Sequence, residues 1–216
     1  MYEKNKNAEL SIPENVTSLV LEAKLKNLPF AVLKGGVKDI FTKEHFDKYN
    51  EHIKNDYYSQ SYRSRAVIEE EDLKFFPMWY QIQKALIKIY GNPTKPYNSI
   101  MQTGEAVIGK VHASLHRDRS DVVHLCCYGT VEWLLVDVEK KEEHRITMEP
   151  GDVLYMRGYT LHETVPLSVR GSLVFMNLPL EEFPEIDPKT FKTEEELEEF
   201  KRVQRLQFLD DLDKGI

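Results

Sequence analysis

Apolar residues in the first part of the chain recur at helical spacing, and from residue 97 onward they fall into short β-rich runs. "VTSLVLEAKLKNL" (16–28) predicts a helix that Pro29 stops, and "PFAVLKGG" (29–36) a short strand closed by Gly35 and Gly36. "TKEHFDKYNEHIK" (42–54) opens with Thr42 as a cap and an acidic residue two positions on, which predicts a helix start. "PMWYQIQKALIKIYG" (77–91) is the clearest helix: Pro stands at its first turn, Gly at its end, and Met78, Ile82, Leu86 and Ile89 line one face. The polar stretch 55–76 between these helices reads as a long excursion, able to lie over a site as a lid.

The runs "YNSIMQ", "VIGKVH", "VVHLCCY", "VEWLLVDV", "HRITM", "DVLYM", "HETVPL" and "SLVFMNL" follow one another, separated by Gly, Pro and charged turns. An antiparallel sheet must bury one face against a second layer, so this spacing predicts a mainly β fold, a double-sheet jelly roll. The ending "TEEELEEFKRVQRLQFLDDLD" (193–213) predicts a helix whose stripe Leu197, Phe200, Val203, Leu206, Leu209 and Leu212 docks on the domain or on a second copy. The expected organisation is one structural domain: an N-terminal helical and strand region over 1–96 packed on a jelly-roll core over 97–180, with the C-terminal helix in 181–216.

With 216 residues, 41% of them hydrophobic and 11% aromatic, the chain has enough apolar material for a sizeable core. Its formal charge of −7 gives no support to binding a phosphate backbone and suits a basic partner better. Cys126 and Cys127 are neighbours, and neighbours on a strand point to opposite faces, so they are poorly placed to pair and read as small core residues. "MYEKNKNAEL" has no apolar signal core, and no run approaches the roughly 18 residues of a spanning helix. A soluble, cytoplasmic protein under reducing conditions is the expectation.

Candidate chemistry begins at "SLHRDRSDVV" (114–123). On a strand, positions two apart share a face, so His116 and Asp118 can offer an imidazole nitrogen and a carboxylate oxygen to one ion, both good ligands for ferrous iron. Alone, a His-x-Asp also reads as a surface ion pair, and a third ligand is needed. "EPGDVLYMRGYTLHETVP" (149–166) supplies His162, at the start of a strand that a jelly roll lays beside the one carrying His116. His112, His124 and Trp133 have plainer readings: satisfied or exposed histidines and a core tryptophan.

Taken together, residues 109–179 resemble the catalytic core of the cupin-like, JmjC-type Fe(II)- and 2-oxoglutarate-dependent oxygenases. "LHRDRSDVVHLCCYGTVEWLLVD" resembles the first-ligand block of that family, with Gly129 as its turn glycine. "EPGDVLYMRGYTLHETV" resembles the second-ligand block, "SLVFMN" the closing strand ending in Asn177, and "LPFAVLKGGVKDIF" (28–41) the opening strand. The resemblance implies iron held by His116, Asp118 and His162. It also exposes a departure: where the family usually carries a lysine for the distal carboxylate of 2-oxoglutarate, this chain has Val131 followed by Glu132. Arg170 and Ser172 form an Arg-x-Ser that resembles the anchor of other 2-oxoglutarate oxygenases, since a guanidinium grips a carboxylate with parallel hydrogen bonds and a hydroxyl two residues on adds another. Asn177 is expected to help orient the keto-acid end.

The implied activity is hydroxylation, or demethylation where the target carbon sits on nitrogen, of a protein side chain or small molecule, with O2 consumed and 2-oxoglutarate converted to succinate. Three rivals stand beside it: a cupin metalloenzyme that does not use 2-oxoglutarate, such as an isomerase or dioxygenase, a non-catalytic cupin binding module, and an oxygenase acting on nucleic acid, which the acidic charge disfavours. No membrane association is expected, and a homodimer through the C-terminal helix is open.

Overall fold

The first helix starts four residues earlier than the apolar pattern suggests. Ser11 caps it, its own N–H bonding the Glu14 carboxylate at 3.0 Å, and Pro13 fits the first turn, where a missing N–H costs nothing. The computed structural model describes residues 11–37, 41–54, 63–68, 70–90, 94–111 and 113–179, together with Thr193. The chain divides after Pro179, and the fold below is that of the first unit, Met1–Pro179. The expected C-terminal helix over 193–213, apart from Thr193, lies outside the described residues, as does His112.

The helices are α1 (Ile12–Leu25), α2 (Lys43–His52) and α3 (Pro77–Tyr90), and the strands are β1 (Phe30–Leu33), β2 (Arg63–Val67), β3 (Thr94–Thr103), β4 (Ala113–Arg117), β5 (Val122–Tyr128), β6 (Val131–Asp137), β7 (Glu142–Met148), β8 (Val153–Met156), β9 (Leu161–Pro166) and β10 (Arg170–Pro179). Every strand pair is antiparallel. One sheet has six strands in the order β1-β8-β5-β10-β3-β2, the other four in the order β4-β9-β6-β7. From β4 onward the chain passes from one sheet to the other between successive strands, except at the β6–β7 hairpin, which is the jelly roll the sequence predicts.

Strand parity divides the larger sheet between two cores. On β10, Leu173 and Phe175 face the helices and join Trp79, Phe76, Phe46 and Ile82; Val174 and Met176 face the space between the sheets and join Met101, Trp133, Leu135 and Leu154. β5 is accordingly buried on both faces from Val122 to Cys126, whereas β6 alternates buried and half-buried residues. Full burial of each large apolar side chain contributes about 1.5–3 kcal/mol, so both cores hold the larger sheet in place.

Two expectations are corrected. Of the run 107–112, residues 107–111 are not strand: Glu105–Val107 forms a single 3-10 turn, and Gly109, at φ 72°, bonds the Pro166 carbonyl through its N–H at 2.8 Å, and the described strand runs from Ala113. Much of the excursion over 55–76 is regular structure: β2 is an edge strand paired with β3, and Glu70–Phe75 is a 3-10 helix leading into α3. Of that stretch, residues 55–62 and 69 lie outside the described residues. Among the described residues no helix is long and apolar enough to cross a membrane.

Candidate metal centre

β4 lies at the edge of the smaller sheet and pairs with β9 so that His116 stands opposite His162. The two imidazole rings lie 4.2 Å apart between centroids. Asp118 sits just past the end of β4 and turns its carboxylate back, Oδ2 lying 3.4 Å from His162 Nε2. One ligand atom from each of His116, Asp118 and His162 falls within 4.8 Å of the others. The three side chains proposed from the sequence therefore meet at one point.

Their environments differ. His162 is 3% exposed and its Nδ1 lies 2.8 Å from the Thr160 carbonyl, so Nδ1 carries the proton and Nε2 presents a lone pair toward the carboxylate. Burial holds the His162 pKa below its ordinary value, against the Thr160 hydrogen bond and the Asp118 charge, which both favour protonation, and the nearby His116 adds to the lowering. A neutral imidazole is the form that ligates. Asp118 is half-buried and His116 exposed, which leaves the cluster open on the β4 side.

The turn before His162 is tied to the loop that carries Asp118. Tyr159 N–H donates to the Asp118 carbonyl at 2.6 Å, and Gly158 N–H to Asp121 Oδ1 at 2.8 Å. A side chain at position 158 would meet the Arg119 carbonyl at 2.8 Å, so this close approach requires glycine there. The left-handed place in the turn then falls to Tyr159, at φ 67°, an uncommon conformation for an aromatic residue. Asp121 also accepts from Tyr155 Oη at 2.9 Å, Tyr90 Oη at 3.1 Å and Lys24 Nζ at 3.1 Å, fastening the same loop to α1, α3 and β8.

A cavity of about 40 Å³ opens at the three candidate ligands and runs between the sheets, lined by Met101, Val122, His124, Trp133, Thr164, Val174 and Met176 as well as those three residues. It has room for a few water molecules. His124, read from the sequence as satisfied or exposed, is a buried wall of this cavity, its ring 4.8 Å from Trp133, whose own ring lies 5.7 Å from that of His162. The signal for it is parity: His124 alternates with Val122 and Cys126 toward the interior. The two thiols are free and face different cores, and burial pushes Cys126 up to about 11.

Arg170 is fully buried. Its position on β10 shares the interior face with Ser172, Val174 and Met176, and it donates from Nη1 to Ser172 Oγ at 2.9 Å and from Nη2 to Met101 Sδ at 3.6 Å. Gly129, at φ 71°, lets the β5–β6 turn close on it: a side chain there would meet the Arg170 Cα at 2.8 Å. Asn177 has the opposite parity. It falls on the helix-facing side with Leu173 and Phe175, and its N–H donates to the Asp121 carbonyl at 3.2 Å, so the structure does not bring it to the other candidate residues. Val131, where the resembled family has a lysine, is buried between the sheets.

No family model matches the chain, and no curated protein does. A six-stranded and a four-stranded antiparallel sheet with these crossings form a jelly roll. Among solved structures the chain is similar to YcfD, a ribosomal oxygenase from Escherichia coli in complex with cobalt and succinic acid, at 14% identity over 82% of this chain and 62% of that one, with a TM-score of 0.44. It is similar to a cupin superfamily protein from Desulfitobacterium hafniense at 15% identity over 41% of this chain and 72% of that one, TM-score 0.33. A third, oxalate decarboxylase from Bacillus subtilis, shares 14% identity over 59% of this chain and 29% of that one, TM-score 0.38. These likenesses concern the fold alone.

Proposed function

We propose that the protein is an Fe(II)- and 2-oxoglutarate-dependent oxygenase. The observation that carries the reading is the meeting of His116, Asp118 and His162 at a cavity whose wall residue Met101 is in turn bonded by Arg170, the partner of Ser172 on the opposite sheet. Two imidazoles and a carboxylate suit ferrous iron and leave coordination positions for other ligands. A bound Fe(II) would supply the oxidising chemistry, with O2 and the co-substrate.

The interior face around Arg170 is polar. Ser99 and Thr103 lie on the same interior face of β3 as Met101, and Thr103 stands directly opposite Arg170 in the β3–β10 register. Their hydroxyls are buried and have no hydrogen-bond partner among the described residues, so a water or a guest carboxylate would be needed to satisfy them. Arg170 and Ser172 would hold the distal carboxylate, taking the place of the lysine that Val131 replaces. His162 keeps its ligating nitrogen deprotonated through Thr160, while Trp133, Val174 and Met176 exclude water around the reacting centre. The substrate class is a protein side chain or a small molecule, and the acidic composition makes a basic polypeptide the first to try.

The test is ferrous-dependent conversion of 2-oxoglutarate to succinate by the pure protein. Loss of turnover in His116→Ala, Asp118→Ala and Arg170→Gln variants that still fold supports the proposal. Metal binding by the parent with no 2-oxoglutarate turnover or binding would point instead to a cupin metalloenzyme of another class, and iron-independent turnover would overturn the assignment.

A further inference from the structure

Met101 touches both halves of the site. It lines the cavity shared by His116, Asp118 and His162, and the same side chain places its sulfur 3.6 Å from Arg170 Nη2, while Arg170 is not among the residues that line that cavity. It stands opposite Ser172 in the β3–β10 register, with Ser99 and Thr103 two positions away on either side of the same interior face. A thioether is a weak hydrogen-bond acceptor, whereas a carboxylate matches a guanidinium with two charge-assisted bonds. Methionine is also unbranched, with three rotatable bonds, and can turn aside where a branched side chain cannot. On the reading that 2-oxoglutarate is the co-substrate, we infer that Met101 is the gate of the co-substrate site. Its thioether accepts a hydrogen bond from an Nη2 N–H of Arg170 and swings away when a distal carboxylate arrives. Binding of a dicarboxylate then includes displacing the methionine, and binding of a 2-oxo acid without a distal carboxylate does not.

The experiment compares the parent with Met101→Ala, Met101→Leu and Arg170→Gln, each loaded with Mn(II), by calorimetric titration of 2-oxoglutarate and, separately, of pyruvate, after thermal melting confirms that each variant is folded. Met101→Ala is expected to bind 2-oxoglutarate about fivefold to tenfold more tightly than the parent, Met101→Leu no more tightly than the parent, and pyruvate equally well in parent and Met101→Ala. A parent that binds 2-oxoglutarate through Arg170, with a Met101→Ala variant that binds it no better, overturns the gate and leaves the co-substrate reading standing. Absence of 2-oxoglutarate binding in every chain overturns that reading and the gate with it. A second measurement needs no substitution: in Zn(II)-loaded protein carrying 13C-methyl methionine, the Met101 methyl signal should shift on adding 2-oxoglutarate and stay in place with pyruvate. A Met101 signal that stays in place with saturating 2-oxoglutarate overturns the gate directly.

Discussion

Replacing Asp121 with alanine should cost the fold more than any surface carboxylate would, and should loosen the metal centre as well. Its carboxylate accepts from the Gly158 N–H, from the hydroxyls of Tyr155 and Tyr90, and from Lys24, while its side chain is only 15% exposed. The Lys24 pair counts for little, because that lysine is 39% exposed and water screens it. Tyr90 is half-buried as a whole residue, so only the two remaining donors count. Tyr155 is fully buried and the Gly158 N–H is pressed into the loop, so two donors are stranded at about 1–3 kcal/mol each, or about 4 kcal/mol together. For a unit of this size the midpoint of thermal unfolding should fall by roughly 8–16 °C. Removing the Tyr155 hydroxyl first, as Tyr155→Phe, should shrink the penalty of Asp121→Ala by about 1–2 kcal/mol, because one stranded donor is then gone. Metal affinity should fall by about tenfold, since the turn that aims His162 is held to the Asp118 loop through Gly158 and Asp121. Urea titrations of the parent, the two single variants and the double variant measure the first effect, and Mn(II) titration the second. A drop of less than about 3 °C, or strictly additive effects of Asp121→Ala and Tyr155→Phe, would refute the view that this carboxylate is the buried junction of loop, helices and sheet.

Three further outcomes are expected. Mn(II) at a hundredfold its dissociation constant should stabilise the parent by about 2.7 kcal/mol, read as a higher melting temperature, and should do nothing for His116→Ala or Asp118→Ala. Because burial lowers the His162 pKa from an ordinary 6.5, the unfolded chain takes up the proton more readily than the folded one; metal-free protein should therefore lose stability as pH falls below about 6.5, and His162→Gln should flatten that slope in urea titrations across the range. Tyr159→Gly should raise the unfolding free energy by about 1 kcal/mol, since glycine accepts the left-handed backbone at φ 67° without strain; equal or lower stability would show that the tyrosine ring makes compensating contacts.

The features most legible in the sequence were those governed by strand parity and by caps. Thr42 and Pro77 mark helix starts where the structure has them, and six of the eight β-rich runs differ from their strands by no more than two residues at either end. His116, Asp118 and His162 could be grouped because a ligand pair two apart and a third ligand on a neighbouring strand need only pairing to meet. The same parity argument applied to β10 separates Asn177, an odd position with Leu173 and Phe175, from Arg170 and Ser172; the closing-strand likeness outweighed it. Other features had no local signal. β2 is an edge strand, whose outer side needs no partner and whose sequence "RSRAV" therefore lacks an apolar alternation. The run at 107–112 has the apolar residues of a strand, but Gly109 turns the chain toward Pro166. Asp118 and Asp121 look alike in "HRDRSD", and only the packing of α1, α3 and β8 around the second makes one an open ligand and the other a buried junction.

That division also explains how one centre can be firm and accessible together. His162 is the fixed member: it is buried, its second nitrogen is engaged by Thr160, and its strand lies between β4 and β6 within the sheet. His116 and Asp118 belong to an edge strand and the loop beyond it, so their side chains remain open to solvent on the side away from the core. A divalent ion can reach such a site without unfolding any of the sheet, and on the proposed function a substrate would approach from β4 and the co-substrate from the side of Arg170. The loop that carries the open ligands would be too loose to hold geometry by itself; its bonds from Tyr159 to Asp118 and from Gly158 to Asp121 transfer the rigidity of the helix-packed sheet to it. Stability and metal affinity should therefore fall together when Asp121 is changed, and separately when His116 is changed, because His116 contributes a ligand from the edge and Asp121 holds the frame behind it.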